Sequence, residues 1–206
     1  MKSKLVRNLQ AGFGLSLLLL VAVSVASYIS IHNLLESARR VDHSKLVISK
    51  LEYVLSTMKD AETGQRGYLL TANDEFLLPY TGSQKKALYT IDEFKRLTAD
   101  NPQQQANADN IKTIIQNRLG ILQIVLDKKK AGGAIVAEDL LAGKSAMDEL
   151  RQAVRRAEAD ENKLLDERIA TLSNFVSLTP AFIILSTLGA IGITIFSYAR
   201  VMGGIS

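Results

Sequence analysis

Cysteine is absent from the 206-residue chain, histidine occurs only at His32 and His43, and proline only at Pro79, Pro102 and Pro180. Without cysteine there is no disulfide framework and no thiolate metal site, a composition that suits an exported domain folding without oxidative help. His32 and His43 stand about three helical turns apart, roughly 16 Å along a helix axis, too far to share a metal ion. Neither is followed by the acidic residue of a kinase phosphoacceptor box, and no glycine-rich phosphate loop occurs. No acid, base, nucleophile and metal set stands out either. The chain is therefore expected to hold no catalytic residue, cofactor or metal, and His32 reads as an interfacial residue at the end of an apolar span.

Charge is missing over two long stretches, between Arg7 and Glu36 and again between Arg168 and Arg200. Each exceeds the ~20 apolar residues that cross a ~30 Å hydrocarbon layer as a helix. The expected order is a cytoplasmic N-terminus over 1–10, a first membrane helix over 11–32 and an external domain over 33–175. A second membrane helix follows over 176–199, and a cytoplasmic tail or the start of a linker over 200–206. The middle segment holds all 21 acidic residues and 21 of the 25 lysines and arginines, so it is neutral. Lys2, Lys4, Arg7 and Arg200 supply the formal +4 and flank the apolar stretches. By the positive-inside rule both termini face the cytoplasm. Lipid is thus an expected partner and nucleic acid is not. The competing reading of the first stretch is a cleaved signal peptide, with a basic run from Lys2 to Arg7 and small residues at Ser24-Val25-Ala26.

Helical periodicity fills the middle, with no strand pattern and no internal repeat. Val41, Ile48, Leu51, Leu55, Met58 and Leu69 recur at heptad-like steps, with Glu62 and Gln65 as polar seam positions, on a helix reaching about Thr71. A second helix is expected from about Glu75, capped by Asp74, to Ala99. Asn101-Pro102 starts a third that ends at Ala131-Gly132-Gly133. A short helix over 135–142 closes at Gly143, and Ser145 with Asp148 caps a fourth long helix. The fold class is all-α: two transmembrane helices and an extracytoplasmic up-down-up-down four-helix bundle. The first helix rises roughly 60 Å from the membrane and the second returns roughly 37 Å, which leaves a two-helix stalk that a second copy would complete. A homodimer follows. Matching heights pairs Arg168 with Asp42, Glu161 with Ile48 and its neighbouring lysines, and Arg151 with Met58 to Glu62. Pro180 is expected to kink the second span. Small residues four apart, Ala22 and Ala26 or Ser186 and Ala190, allow close helix approach there.

The chain turns over between Glu62 and Tyr80. Gly64 and Gly67 interrupt helix there, each at a cost of about 1 kcal/mol relative to alanine, so a packing, bending or functional reason should keep them. Arg66 can pair with Glu62 or reach Glu138 or Asp139. The polar group Glu62, Gln65 and Arg66, with Tyr68 and Tyr80 packed across it, reads either as a network locking the turn or as a small-ligand pocket. The run ETGQRGYL at 62–69, followed by Asp74-Glu75-Phe76-Leu77 and Pro79-Tyr80, resembles the signature of the third class of CHASE domains. These are the cyclase and histidine-kinase-associated sensing extracellular domains. Glu161, Leu164, Leu165 and Arg168 resemble its closing motif, so the resemblance covers about residues 30 to 176. It implies a stimulus-receiving module. The expected output is a movement of the fourth helix through the second span, with Asp42, Glu161, Arg168 and Pro180 on the relay, to a cytoplasmic histidine kinase in cis or trans. A chemoreceptor or diguanylate cyclase output is the variant, and a stand-alone adaptor subunit binding a partner protein is the alternative. If the first apolar stretch is a membrane helix, mass spectrometry of the purified protein will find its N-terminus intact; a chain starting near Ser27 would refute the topology.

Overall fold

The computed structural model describes residues 2–203, and within that range it describes no side chain at 2–9, 11, 197 or 200–203. The four charges that orient the expected topology, Lys2, Lys4, Arg7 and Arg200, therefore lie outside the described side chains. Four α-helices account for nearly all of the described chain: α1 (Lys2–Thr71), α2 (Ser83–Leu97), α3 (Pro102–Lys130) and α4 (Ala137–Gly203). No strand occurs among the described residues. Two of these helices, α1 and α4, are long and apolar enough to cross a membrane. The chain divides into two compact units, one of 1–41 with 167–206 and one of 42–166.

The 42–166 unit is a bundle with a single core. Val47, Leu51, Val54, Met58 and Ala61 of α1 pack with Ala87, Ile91 and Phe94 of α2, Ile111, Ile115 and Leu122 of α3, and Met147, Leu150 and Val154 of α4. The contacts run in opposite senses along each neighbouring pair. Lys50 meets Glu93 whereas Gly64 lies against Phe76 and Tyr80; Lys95 meets Asp109 whereas Tyr80 meets Gln123; Gln104 meets Glu161 whereas Arg118 lies against Gly143. Successive helices are therefore antiparallel, the up-down-up-down order expected. The buried seam of α1 is Ser44, Val47, Leu51, Val54, Met58, Ala61, Gln65 and Tyr68, strict alternation of three and four. Val47 and Val54 occupy the seam, and the expected Ile48 and Leu55 lie at its half-buried flank.

Three boundaries differ from expectation. After α1 ends at Thr71, with Ala72 held in the left-handed region at φ 56, Asn73 and not Asp74 caps the next turn, its side chain accepting from the Glu75 amide. That turn is a short 3₁₀ helix, Asp74–Leu77, and α2 begins only at Ser83, after Pro79 and after Gly82 at φ 81. Pro79 lacks the amide that would carry an α-helix through this segment. At the other end there is no separate short helix: α4 starts at Ala137 and passes unbroken through Gly143 and Ser145. Asp139, the third residue of α4, reaches back so that its carboxylate accepts from the Val136 amide at 2.9 Å, while Asp148 pairs with Lys144 and Arg151 along the helix. The Asn101 cap with Pro102 inside the first turn of α3 is as expected.

The 1–41 and 167–206 unit contains the apolar stretches of α1 and α4. Ser30 and Thr179 share a hydroxyl hydrogen bond of 3.0 Å, and Arg168 donates to the Arg40 carbonyl at 3.2 Å. The helix continues through Pro180. Tyr28 and His32 stack at 6.3 Å between ring centroids.

The turn explains the two helical glycines of α1. A Cβ on Gly64 would lie 2.6 Å from the Phe76 carbonyl oxygen, and one on Gly67 would collide with the Phe76 ring. The Asp74–Tyr80 segment folds flat against α1 only because both side chains are missing. Gly64→Ala and Gly67→Ala should each destabilise the chain by about 1–3 kcal/mol through overpacking, more than the helix-propensity gain of about 1 kcal/mol. Gly120, where an added Cβ would meet nothing within 4 Å, is the control. Gly120→Ala should stabilise by about 1 kcal/mol, and chemical denaturation followed by circular dichroism reads all three.

Candidate functional site

Heptad spacing puts a run of α3 residues inside the bundle: Gln104, Ala108, Ile111, Ile115, Arg118, Leu122 and Val125, again in alternating steps of four and three. The same register in α4 runs Gly143, Met147, Leu150, Val154, Ala157, Glu161. Most of these positions are apolar. The exceptions come in two layers, and the layers are where the bundle's chemistry lies.

The first layer surrounds Glu62. Arg118 is 2 % exposed, and its guanidinium fits beside α4 because Gly143 has no side chain, a Cβ there falling 3.0 Å from Arg118 Nη1. Glu62, 7 % exposed, lies with Oε2 3.5 Å from Arg118 Nη2 and Oε1 2.6 Å from Arg66 Nη2. The Arg118 contact is a charge contact longer than a hydrogen bond. Burial lowers the Arg118 pKa below the ordinary guanidinium value, and the charges of Arg66 and Arg151 push the same way, against the opposing pull of Glu62. Among the described residues, Glu62 Oε2 and Arg118 Nε have no hydrogen-bond partner. The adjoining cavity, lined by Glu62, Gln65, Arg118 and Gly143 among others, measures about 20 Å³. That is space for one water molecule and far below the several hundred cubic ångströms of a typical small-molecule pocket.

Around this pair the expected site residues divide. Gln65 is buried and donates to the Leu122 carbonyl at 2.8 Å, tying α1 to α3. Arg66 is exposed and pairs with Glu62 on its own helix; it does not engage Asp139, which Lys128 holds at 2.7 Å. The Lys128 ammonium, followed by the Val136 amide, lowers the Asp139 pKa below the usual carboxylate value. Tyr68 is buried with the Lys130 ammonium 5.8 Å from its ring centroid. The Tyr80 hydroxyl donates to Gln123 at 2.7 Å, and burial with the nearby Asp127 charge pushes the phenol pKa up. Tyr68 and Tyr80 thus engage α3 and its C-terminal end through different partners.

The second layer surrounds Glu161, 2 % exposed. Ser44 donates to its Oε1 at 2.7 Å and Gln104 to its Oε2 at 3.3 Å. Gln104 also donates to the Ala157 carbonyl at 3.0 Å, and Asn107 bridges Gln104 to Asp160. Glu161 thus accepts from a hydroxyl and a carboxamide; of the lysines beside Ile48, Lys50 pairs with Glu93. Arg168, expected beside Asp42, binds the backbone of Arg40. Asp42 is exposed. Arg151 pairs with Asp148 on its own helix at 2.7 Å.

Arg118, Gln104, Ser44 and Gly143 were not expected at the site. Their common signal is heptad position: each stands on a seam where an apolar residue belongs, and a seam followed strictly in threes and fours passes through all four. Among the described residues no group of acidic residues and histidines is arranged to hold a metal.

A buried pair that loses one member leaves an uncompensated charge, which costs about 3–5 kcal/mol, whereas replacing both by apolar groups is close to neutral. Arg118→Met and Glu62→Leu should each lower stability by about that much, and the double variant should recover most of it. Thermal unfolding of the four proteins, followed by circular dichroism, measures the coupling; additive losses would contradict it.

A family model described as the CHASE3 domain matches residues 37–171. Comparison with curated proteins and with solved structures gave no significant match. The matched segment contains both polar layers and the whole 42–166 bundle, and it makes up well over half of the chain. This protein belongs to the CHASE3 family of extracellular sensory domains found in signalling receptors.

Proposed function

We propose that this chain is the transmembrane sensing region of a bacterial receptor, with both termini in the cytoplasm and residues 33–175 outside the inner membrane. It works as a homodimer and passes a stimulus inward to a histidine kinase by movement of α4. One observation carries the reading: α1 and α4 are each a single helix, the first from Lys2 to Thr71 and the second from Ala137 to Gly203. Each runs from the bundle into an apolar stretch without a break. A shift of packing in the core then moves an element that also enters the membrane.

The Glu62 layer acts here as a lock on helix register, because its cavity is water-sized and its charges are compensated within the chain. The Glu161 layer, closer along α4 to the apolar stretch, sets how α1, α3 and α4 are coupled. A stimulus that changes either layer changes the position of α4.

The dimer test uses positions that face away from the chain. Val41 is only 5 % exposed and is a poor choice for crosslinking, whereas Leu35 at 54 % and Ile169 at 44 % are accessible. Leu35→Cys and Ile169→Cys should each give a disulfide-linked dimer in membranes under mild oxidation. With a histidine-kinase core joined after Ser206, forming that crosslink should change autophosphorylation and reducing it should restore the starting level. Monomer at both positions, or kinase activity indifferent to the crosslink, would overturn the proposal.

A further inference from the structure

Within the 42–166 unit, α1 turns two exposed lines of residues away from the core. One is Lys45, Glu52, Lys59 and Arg66, a charged face. The other is Leu46, Ser49, Tyr53 and Ser56, in steps of three, four and three, and it carries no charge between Asp42 and Asp60 at its ends. Leu46 is 43 % exposed and Tyr53 51 %. The exposed residues of α4 over 144–163 offer no such line, since lysine, arginine, aspartate or glutamate interrupts each one.

α2 widens the uncharged patch. Tyr89 is 59 % exposed, and its hydroxyl hydrogen-bonds the Glu93 carboxylate that Lys50 of α1 reaches at 2.9 Å. The patch thus holds two tyrosines, a residue type enriched in protein interfaces, beside a leucine. Covering it leaves few donors stranded. The Ser49 hydroxyl donates to the Leu46 carbonyl at 2.8 Å, and Glu93 engages the Tyr89 hydroxyl. The neighbouring charges are compensated within the chain, Glu93 lying between Lys50 and Arg96.

The membrane limits what can cover such a patch. Two copies anchored by the same helix stand parallel at one height, and a two-fold axis between them sets each residue near the axis against its own counterpart. A charged line repels itself in that arrangement, whereas an uncharged line with aromatic surface does not. The outer face of α3 also lacks charge at Asn110, Thr113, Asn117 and Gly120, but it presents amides and a hydroxyl in place of apolar surface, and α3 ends within the bundle.

We infer that the homodimer closes through this face, with Leu46, Ser49 and Tyr53 of α1 packed on the same residues of a second copy and Tyr89 at the flank. The inference rests on the receptor reading, which requires a dimer but not this face. From Leu46 to Ser56 the line is about 15 Å long at 1.5 Å per residue, so the contact is small. It holds because the spans keep the two copies side by side at high effective concentration.

The chain has no cysteine, so single cysteines report contacts without background. In membranes under mild oxidation, Ser49→Cys and Tyr53→Cys should give disulfide-linked dimers, and Glu52→Cys and Lys59→Cys, on the charged face, should give at least fivefold less. Tyr53→Arg, which sets like charges against each other, should weaken dimerisation of the full chain in detergent about tenfold by native mass spectrometry. Mixing it with Tyr53→Glu should restore a dimer of one copy of each. Circular dichroism confirms that these surface variants are folded. Equal crosslinking on both faces of α1, crosslinking at Asn117→Cys in place of Tyr53→Cys, or undiminished dimerisation of Tyr53→Arg would overturn the inference. If Ser49→Cys and Tyr53→Cys stay monomeric while Leu35→Cys crosslinks, the face is wrong and the receptor reading stands; if Leu35→Cys and Ile169→Cys fail as well, both fall.

Discussion

The guanidinium of Arg118, inserted between helices where Gly143 leaves room and facing Glu62, is the constraint on which the bundle's arrangement depends. A cation this deeply buried has no acceptable environment except the one opposite a carboxylate. Sliding α3 by one heptad along α1 would carry Arg118 to the level of apolar side chains and leave Glu62 facing them as well. The pair contributes little net stability beyond an apolar substitute, but it makes every other register costly. Gly143 is part of the same device, since any side chain there would press on the guanidinium.

The Glu161 layer applies the same logic with a hydroxyl and a carboxamide among its donors. Ser44, Gln104 and Glu161 come from three different helices and meet in one plane, with no other buried charge among the described residues between them and the Glu62 layer along α4. Apolar contacts between the layers supply most of the folding free energy and tolerate small rotations, because they are non-directional. The polar layers do not. A bundle held at two levels by directional contacts, with an apolar middle, has a small number of discrete packings rather than a continuum, which is the property a relay needs. The turn at Asp74–Tyr80 adds a steric limit at one end, where Gly64 and Gly67 let the chain fold back on α1.

Much of this was legible in the sequence. Charge-free stretches, the Asn101-Pro102 helix start, the polar interruption at Glu62 and Gln65 and the Arg66–Glu62 pair all follow from spacing and composition. Two kinds of feature were not. The start of α2 depended on tertiary packing: Glu75 and Phe76 satisfy helical periodicity, but Phe76 is committed to the surface of Gly67 and the following Pro79 and Gly82 delay the helix to Ser83. Gly143 read locally as a helix end, yet tertiary contact with Arg118 makes it an interior residue of α4. Arg118 itself was hidden because a seam chosen by hydrophobicity steps over a charged residue to Leu119. The rule that buried polar residues sit on the same heptad as their apolar neighbours would have found it, together with Gln104 and Ser44.

The central claim is that α1 and α4 carry the state of the bundle inward as helices, through rotation or displacement of a rigid rod. Matched insertions of one to seven alanines, between Leu35 and Glu36 in α1 and between Ile169 and Ala170 in α4, change helical phase by about 100° per residue without altering either polar layer. Kinase output from the fused chain, measured against insertion length, should oscillate, recovering near four and again at seven residues. Output that falls steadily with length, or ignores it, would mean that the two helices act as tethers and would contradict the account.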